Sequence, residues 1–305
     1  MAAPLTRRSG CLSSALFLVA LIGAHAPRGS RRLRGTLINA TRGTRSLVEV
    51  DRRRRLANNQ EVAKLTATDA AAGDCFGYSV AIDGATVVVG AQNNGGSGSA
   101  YVFRTTDGGA TYDQVAKLTA SDAASMDLFG EFVAIDGTTV VVGAYGAGTG
   151  GAVYAFRTTD DGATYDEVAK LTATDAAVYD KFGTSVAVDG GTIVVGAQGD
   201  DDAASGSGSV YVFRTTDGGA TYGQVAKLTA ADAAYAAYFG ASVAIDGDTT
   251  VVGAYGDDDG SSSTNHDSGA AYIFSSDSSW WDYFSSDATR PLPPAMVLLV
   301  AMLAL

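Results

Sequence analysis

Short apolar runs, each about five residues long and punctuated by Gly and Asp, recur along the middle of the chain in a fixed order. The order repeats four times, in copies that begin at Val62, Val115, Val168 and Val225, with spacings of 53, 53 and 57 residues. Each copy opens on Val-Ala-Lys-Leu-Thr-Ala and runs on to a Phe-Gly pair. It continues as Ser79-Val80-Ala81-Ile82-Asp83-Gly84 and Thr86-Val87-Val88-Val89-Gly90-Ala91 in the first copy. A loop of variable length follows, then Ala100-Tyr101-Val102-Phe103-Arg104 and a turn rich in Asp and Gly. Runs this short, rich in Val, Ile, Tyr and Phe and bounded by turn residues, predict strands.

Each copy therefore predicts four strands, lettered A (about 78–82), B (86–91), C (100–104) and D (113–118) in first-copy numbers. The A–B link is an Asp-Gly pair, a hairpin turn in which Gly supplies a positive φ. Strand B is almost wholly apolar, as expected of a strand covered on both faces. Four-stranded antiparallel units of this length, repeated radially, predict an all-β fold, a β-propeller of four blades. A β-solenoid is the structural alternative. Its coils are usually shorter and need no A–B hairpin.

The motif at the ends of these strands resembles the FG-GAP repeat, the unit of integrin α propeller heads and of many secreted proteins. The matching residues are Phe76-Gly77 with Gly90-Ala91, Phe129-Gly130 with Gly143-Ala144, Phe182-Gly183 with Gly196-Ala197, and Phe239-Gly240 with Gly253-Ala254. Gln92, Tyr145, Gln198 and Tyr255 stand where the motif's Pro would be. The resemblance spans roughly residues 61–284 and implies an extracellular recognition or adhesion module without catalysis. Two departures qualify it. Integrin-type blades often hold calcium in an Asp-rich loop between A and B, whereas Ile82-Asp83-Gly84-Ala85 and its equivalents offer too few oxygens. Integrin heads also have seven blades against four here, so the repeats leave open whether the ring closes alone, incompletely, or with a second copy as a homo-oligomer. The segment Glu61–Thr66 has the D-strand sequence without its own A–C strands, and stands in position to pair with the last blade.

The C–D turn Thr105-Thr106-Asp107-Gly108-Gly109-Ala110-Thr111-Tyr112 resembles the Asp-box of sialidase-type propellers. It recurs at Thr158–Tyr165 and Thr215–Tyr222. In that family the box is a structural turn remote from catalysis, and an Asx turn fixing its own hairpin is expected here. A secreted hydrolase, sialidase-like or phosphoesterase, or an accessory domain of one, is the rival class. It lacks material. Arg104, Arg157 and Arg214 repeat once per blade, and Glu131 and Glu167 are the only Glu inside the repeats. No catalytic residue is assigned.

A four-stranded meander places A–B and C–D turns at one end and B–C and D–A loops at the other. The second end carries all the variation in length, which is where a rigid scaffold usually recognises a ligand. It is also acidic. Asp200, Asp201, Asp202, Asp257, Asp258 and Asp259 lie in B–C loops, and Asp69, Asp74, Asp122, Asp127, Asp175, Asp180 and Asp232 in D–A loops. Oxygen-only clusters suit weakly bound calcium, the one cofactor considered, with the first six as its candidate ligands. A solvated, self-repelling acidic loop accounts for the same residues. The repeated Phe is expected in the blade core, and Lys64, Lys117, Lys170 and Lys227 are expected as edge charges that discourage strand pairing.

Charge and the two ends add a compartment. The formal charge of −12 divides into +10 over residues 1–55, with twelve Arg against Glu49 and Asp51, and −22 over the rest. So acidic a body does not favour nucleic acid. Two Cys and two His leave little for a multi-ligand zinc site or His-based catalysis. Arg7-Arg8, the apolar run Leu12–Ile22 and Gly23-Ala24-His25-Ala26 read as a secretory signal over residues 1–26. Residues 27–60 read as a basic disordered linker or propeptide containing the sequon at Asn39, and residues 285–305 as an apolar tail. Small residues, a polar spacer and that tail match a GPI signal with attachment near Ser286; a truncated membrane segment is the alternative. The expected location is secreted or on the outer face of the plasma membrane, touching membrane only through that anchor. The expected partner is an extracellular protein or glycan.

Overall fold

The computed structural model describes residues 61–258 and 268–276, and within them the chain is all β apart from turns and one short 3-10 turn at Asn94–Gly96. Three consecutive four-stranded antiparallel meanders hold β1 (Val80–Asp83), β2 (Thr86–Ala91), β3 (Ser99–Arg104) and β4 (Asp113–Leu118), then β5 (Phe132–Asp136), β6 (Thr139–Ala144), β7 (Ala152–Arg157) and β8 (Asp166–Leu171), then β9 (Phe182–Asp189), β10 (Thr192–Ala197), β11 (Ser209–Arg214) and β12 (Gly223–Leu228). A fourth sheet contains β13 (Phe239–Asp246), β14 (Thr249–Ala254) and β15 (Ala270–Ser275). The D strand that the repeat pattern predicts after β15 lies outside the described residues. These are the blades expected from the repeats, none of them closed into a barrel. Among the described residues no helix is long and apolar enough to cross a membrane.

Local chemistry sets each blade. Gly84, Gly137, Gly190 and Gly247 have φ between 55° and 57°, the left-handed region that turns A into B in two residues. The second strand is then sandwiched. All six residues of β6 are buried, and Val88, Val141 and Val194 at its middle are fully so. Each such valine contributes about 1.5–3 kcal/mol relative to exposure.

The core lies between blades. One cluster joins Val88, Val102 and Leu118 of the first blade to Phe129, Val140 and Val142 of the second. Equivalent clusters join the second to the third and the third to the fourth. The repeated Phe packs against Tyr and Phe of its own third strand: Phe129 lies tilted 5.5 Å from Tyr154 and edge-on 5.9 Å from Phe156, centroid to centroid. That pairing is the core role expected from the sequence. The Gly after it has φ near 90° (Gly130, 88°), and its carbonyl lies over the Gly of the preceding blade's Gly-Ala pair. A Cβ on Gly90 would sit 1.8 Å from the Gly130 oxygen, and one on Gly196 1.9 Å from that of Gly240. The two halves of the motif are therefore the two sides of a backbone contact between neighbouring blades.

Glu61–Thr66 forms no strand, and among the described residues no strand pairing links it to the fourth blade. Leu65 and Ala67 instead pack against Val89, Tyr101 and Phe103 of the first blade, just as Leu118 and Ala120 pack on the second. Among the described residues, core clusters join each blade to the next, and none joins the first to the fourth.

Candidate recognition face

The B–C and D–A loops meet at one end of the blades, as the meander requires. Asn94 on the first B–C loop donates from Nδ2 to Asp74 on the D–A loop at 2.9 Å. The Met126 amide donates to the Gly96 carbonyl at 2.8 Å, and that of Ala236 to Ser205 at 2.9 Å. The loops thus cross from one blade to the next and hold each other.

Much of the acid on this face is already committed. Asp74, Asp127 and Asp180 close their own loops, accepting from the amides of Ala71 (2.8 Å), Ala124 (2.7 Å) and Ala177 (2.6 Å). Asp69, Asp122, Asp175 and Asp232 accept from the hydroxyls of Tyr101, Tyr154, Tyr211 and Tyr272 at 2.7–3.0 Å. The first three also hold Lys117, Lys170 and Lys227, at 2.6, 2.5 and 2.7 Å. Each ammonium lies 5.2–5.6 Å from the centre of the same tyrosine ring. The lysines are not simply edge charges. Each closes a Tyr–Asp–Lys triad that ties the loop entering a blade to that blade's third and fourth strands. The tyrosine hydroxyls are pushed up by burial and by the carboxylate beside them, so they stay protonated donors.

The six candidate calcium ligands separate. Asp200 and Asp202 come together with Asp175, one oxygen of each within 4.8 Å of the others. The Lys227 ammonium sits among them, 3.0 Å from Asp200 and also bonded to Asp175 and Asp202. Burial works against that charge, but the hydrogen bonds to Asp175 and Asp202 outweigh it and raise the lysine above its ordinary range. Asp201 turns aside to accept from the Gly206 amide at 2.6 Å. In the fourth copy, buried Asp257 accepts from Tyr272 at 2.6 Å, Asp258 is exposed, and Asp259 lies outside the described residues. Asn39 and Ser286 lie outside them too.

Sequence reasoning, drawn to the acids, missed two features of this end. The first is a row of exposed side chains at the D–A loop tips: Met126, Tyr179 and Tyr235, at 73, 80 and 77 % exposure. Met126 and Tyr179 have φ of 71° and 77°, and Ala236 beside Tyr235 has 56°; the first copy uses Gly73 at this turn. Large side chains held in a conformation that glycine adopts freely cost conformational energy. The signal was present as the replacement of Gly73 by Met126 and Tyr179 at one repeat position. The second feature is Glu131, buried between Tyr78 and Tyr145. The Tyr78 hydroxyl lies 3.5 Å from its Oε1. Burial raises the carboxyl to about 7, with Tyr145, Tyr78 and Lys181 pulling the other way.

At the opposite end, the described turns are held by their own hydrogen bonds. Asp107 accepts from the amides of Ala110 and Thr111 (2.8 and 3.0 Å) and from the hydroxyls of Thr105 and Thr111 (both 2.8 Å). The same pattern at Asp160 lowers its carboxyl to about 2, chiefly through Thr164. Arg104 reaches the next blade's turn at Asp161 (3.3 Å) and Arg214 reaches Ser276 (3.0 Å). These arginines stitch successive turns instead of converging on a substrate.

No curated protein matches the chain. Among solved structures, the crystal structure of Saccharomyces cerevisiae Sqt1 is similar at 12 % identity and a TM-score of 0.34, over 52 % of this chain and 37 % of that one. The chain thus spans just over a third of that protein, and so low a score supports no further comparison. The FG-GAP repeat model matches residues 60–103, 112–156, 159–213 and 222–274, each of the last three blocks joining the fourth strand of one blade to the first three of the next. FG-GAP repeats are a non-catalytic repeat family, in keeping with a propeller-like interaction module. With more than half its length matched, the chain belongs to the FG-GAP repeat family.

Proposed function

We propose that this chain is an extracellular recognition module that binds a protein or glycan through its B–C/D–A face. The observation that carries the proposal is the row of Met126, Tyr179 and Tyr235, exposed at the tips of loops tied down by the Tyr–Asp–Lys triads at Asp122 and Asp175 and by the Tyr272–Asp232 hydrogen bond. Aromatic and Met side chains are enriched in binding patches because they give large contact area at low entropic cost. Rigid loops lose little freedom on binding. The secretory pattern of residues 1–26 and the anchor pattern around Ser286 support an outer-surface or secreted location.

Calcium assistance is a narrower part of the proposal. At Asp175, Asp200 and Asp202 calcium competes with the Lys227 ammonium for the same oxygens. Occupancy therefore belongs to millimolar extracellular calcium.

The test is binding of the full chain to extracellular-matrix and glycan arrays, with and without millimolar calcium. The expected result is a hit that Tyr179→Ala and Tyr235→Ala each weaken by at least about 10-fold, while Tyr222→Ala at the opposite end leaves it unchanged. Binding untouched by both tip variants sinks the assignment of the face. Binding and melting temperature that ignore calcium remove calcium from it.

A further inference from the structure

The two ends of the blade series carry the same residue types that join one blade to the next within the chain. Within the chain, each junction is made by the trailing face of one blade and the leading face of the next, and four observations define it. The Phe-Gly backbone of the following blade lies on the Gly-Ala pair and third strand of the preceding one: Gly130 against Ala91 and Ser99, and Phe129 against Gly98. The amides of Phe129, Phe182 and Phe239 donate to the carbonyls of Ser97, Gly150 and Ser207 on the preceding blade. The A–B turn amides of Gly137, Gly190 and Gly247 donate to Asp83, Asp136 and Asp189 of the preceding blade at 2.5–2.7 Å. Valines at the middle of the second strand are sealed between the sheets.

Both ends keep this chemistry, and among the described residues no blade packs on either. On the fourth blade, Val251 and Ile273 are 37 and 74 % exposed, whereas their repeat equivalents Val88, Val102, Val141 and Val194 are fully buried. A cleft of about 340 Å³ opens there, lined by Ser242, Gly253, Ala254, Gly269, Ala270 and Ala271 among others. Gly253, Ala254, Gly269 and Ala270 are the equivalents of Gly90, Ala91, Gly98 and Ser99, which receive Phe129-Gly130 in the first junction. The cleft therefore has the lining of a Phe-Gly socket, with no described Phe-Gly pair in it. On the first blade, Val80 and Ile82 are 56 and 59 % exposed, although Val133 and Ile135 at the same positions pack into a junction. A methyl group on Gly77 would meet nothing within 4 Å, whereas on Gly130, Gly183 or Gly240 it would meet the preceding blade's backbone oxygen at 2.2–2.7 Å.

We propose that a second copy of this chain docks head to tail, its Phe76-Gly77 entering the socket on the fourth blade and its Val80 and Ile82 covering Val251 and Ile273. The Gly84 amide of one copy then continues the turn-to-turn series by donating to Asp246 of the other. Two such junctions close a ring of eight blades, the upper end of the usual propeller range, while a third copy would exceed it. The interface continues three junctions already made by the same residue types in the same positions. It needs no partner of new chemistry and does not depend on what the loop face binds.

The test is sedimentation and light scattering of the full chain from nanomolar to tens of micromolar. The expected mass is twice that of the monomer. Ile82→Asp and Ile273→Asp, at opposite ends and both exposed, should each weaken association by at least about 30-fold with melting temperature unchanged. Mixing the two variants should restore a dimer through the one junction left intact. Should either variant lose its fold, Val80→Asp or Val251→Asp replaces it. A wild-type monomer at every concentration overturns the proposal; the faces are then covered within one chain, by ring closure or by residues outside those described. A dimer that survives Ile82→Asp, or a mixture that stays monomeric, also overturns it, the former pointing to fourth blades docked on each other.

Discussion

Glu131 shows how one residue can break the repeat's chemistry. It follows the second Phe-Gly pair, where the other copies have Tyr78, Thr184 and Ala241. A carboxyl there is buried, and its two tyrosine partners can donate to the ion but cannot neutralise it. Burial dominates, so the group titrates near 7 in the folded chain. The ordinary value in the unfolded chain is near 4.5. The folded state then holds its proton more tightly. Its cost is absent below about pH 4.5, grows as pH rises, and is complete above about 7. Glu131→Gln keeps an acceptor for both hydroxyls and removes the charge. It should stabilise the chain at pH 8 by up to about 3 kcal/mol and do almost nothing at pH 4. Urea unfolding at the two pH values measures this. An equal effect at both would mean that the charge is not what burial penalises.

At the scale of elements, the Tyr–Asp–Lys triads govern how loops attach to blades, and their members are not equivalent. Tyr154 is wholly buried, and its hydroxyl has Asp122 as acceptor at 2.7 Å. Lys170 reaches the same carboxylate from a partly solvated position. Asp122→Ala leaves a buried donor unsatisfied and should cost about 1–3 kcal/mol. Lys170→Met loses a screened ion pair and should cost less than about 1 kcal/mol. Chemical denaturation of the two variants ranks them, and a lysine variant as damaging as the aspartate variant would refute this division. The strands were readable because short Val-rich runs and Asp-Gly turns are local signals; β2 and β4 begin and end where the pattern places them. The triads were harder to see because Asp122 lies 32 residues from Tyr154 and 48 from Lys170, in three different elements. Hydrophobic periodicity carries no record of such a contact. The recurrence of Asp69, Tyr101 and Lys117 in phase through the next two copies was the available clue. The loop tips were obscured by the acids around them: a run such as Asp200-Asp201-Asp202 suggests metal, and only the fold shows Lys227 filling its centre.

At the scale of the whole molecule, the glycines of the Gly-Ala pairs distinguish a made junction from an unmade one. Gly90 faces backbone: a methyl group there meets the Gly130 carbonyl oxygen at 1.8 Å, and two sheets must part to admit it. Gly90→Ala should therefore destabilise the chain by about 1–3 kcal/mol, the usual cost of overpacking, at any protein concentration. Gly253 occupies the same repeat position but meets the Ser242 hydroxyl at 2.4 Å, the end of a side chain that can rotate away. Gly253→Ala should leave dilute-solution unfolding almost unchanged. In the head-to-tail pair, however, Gly253 faces the Gly77 carbonyl of the second copy as Gly90 faces Gly130. The same substitution should then weaken association as strongly as a charge at Ile273. One methyl group placed at two equivalent positions thus separates stability within the chain from assembly between chains. Gly253→Ala that leaves both unfolding and dimer mass unchanged would show that nothing enters the socket.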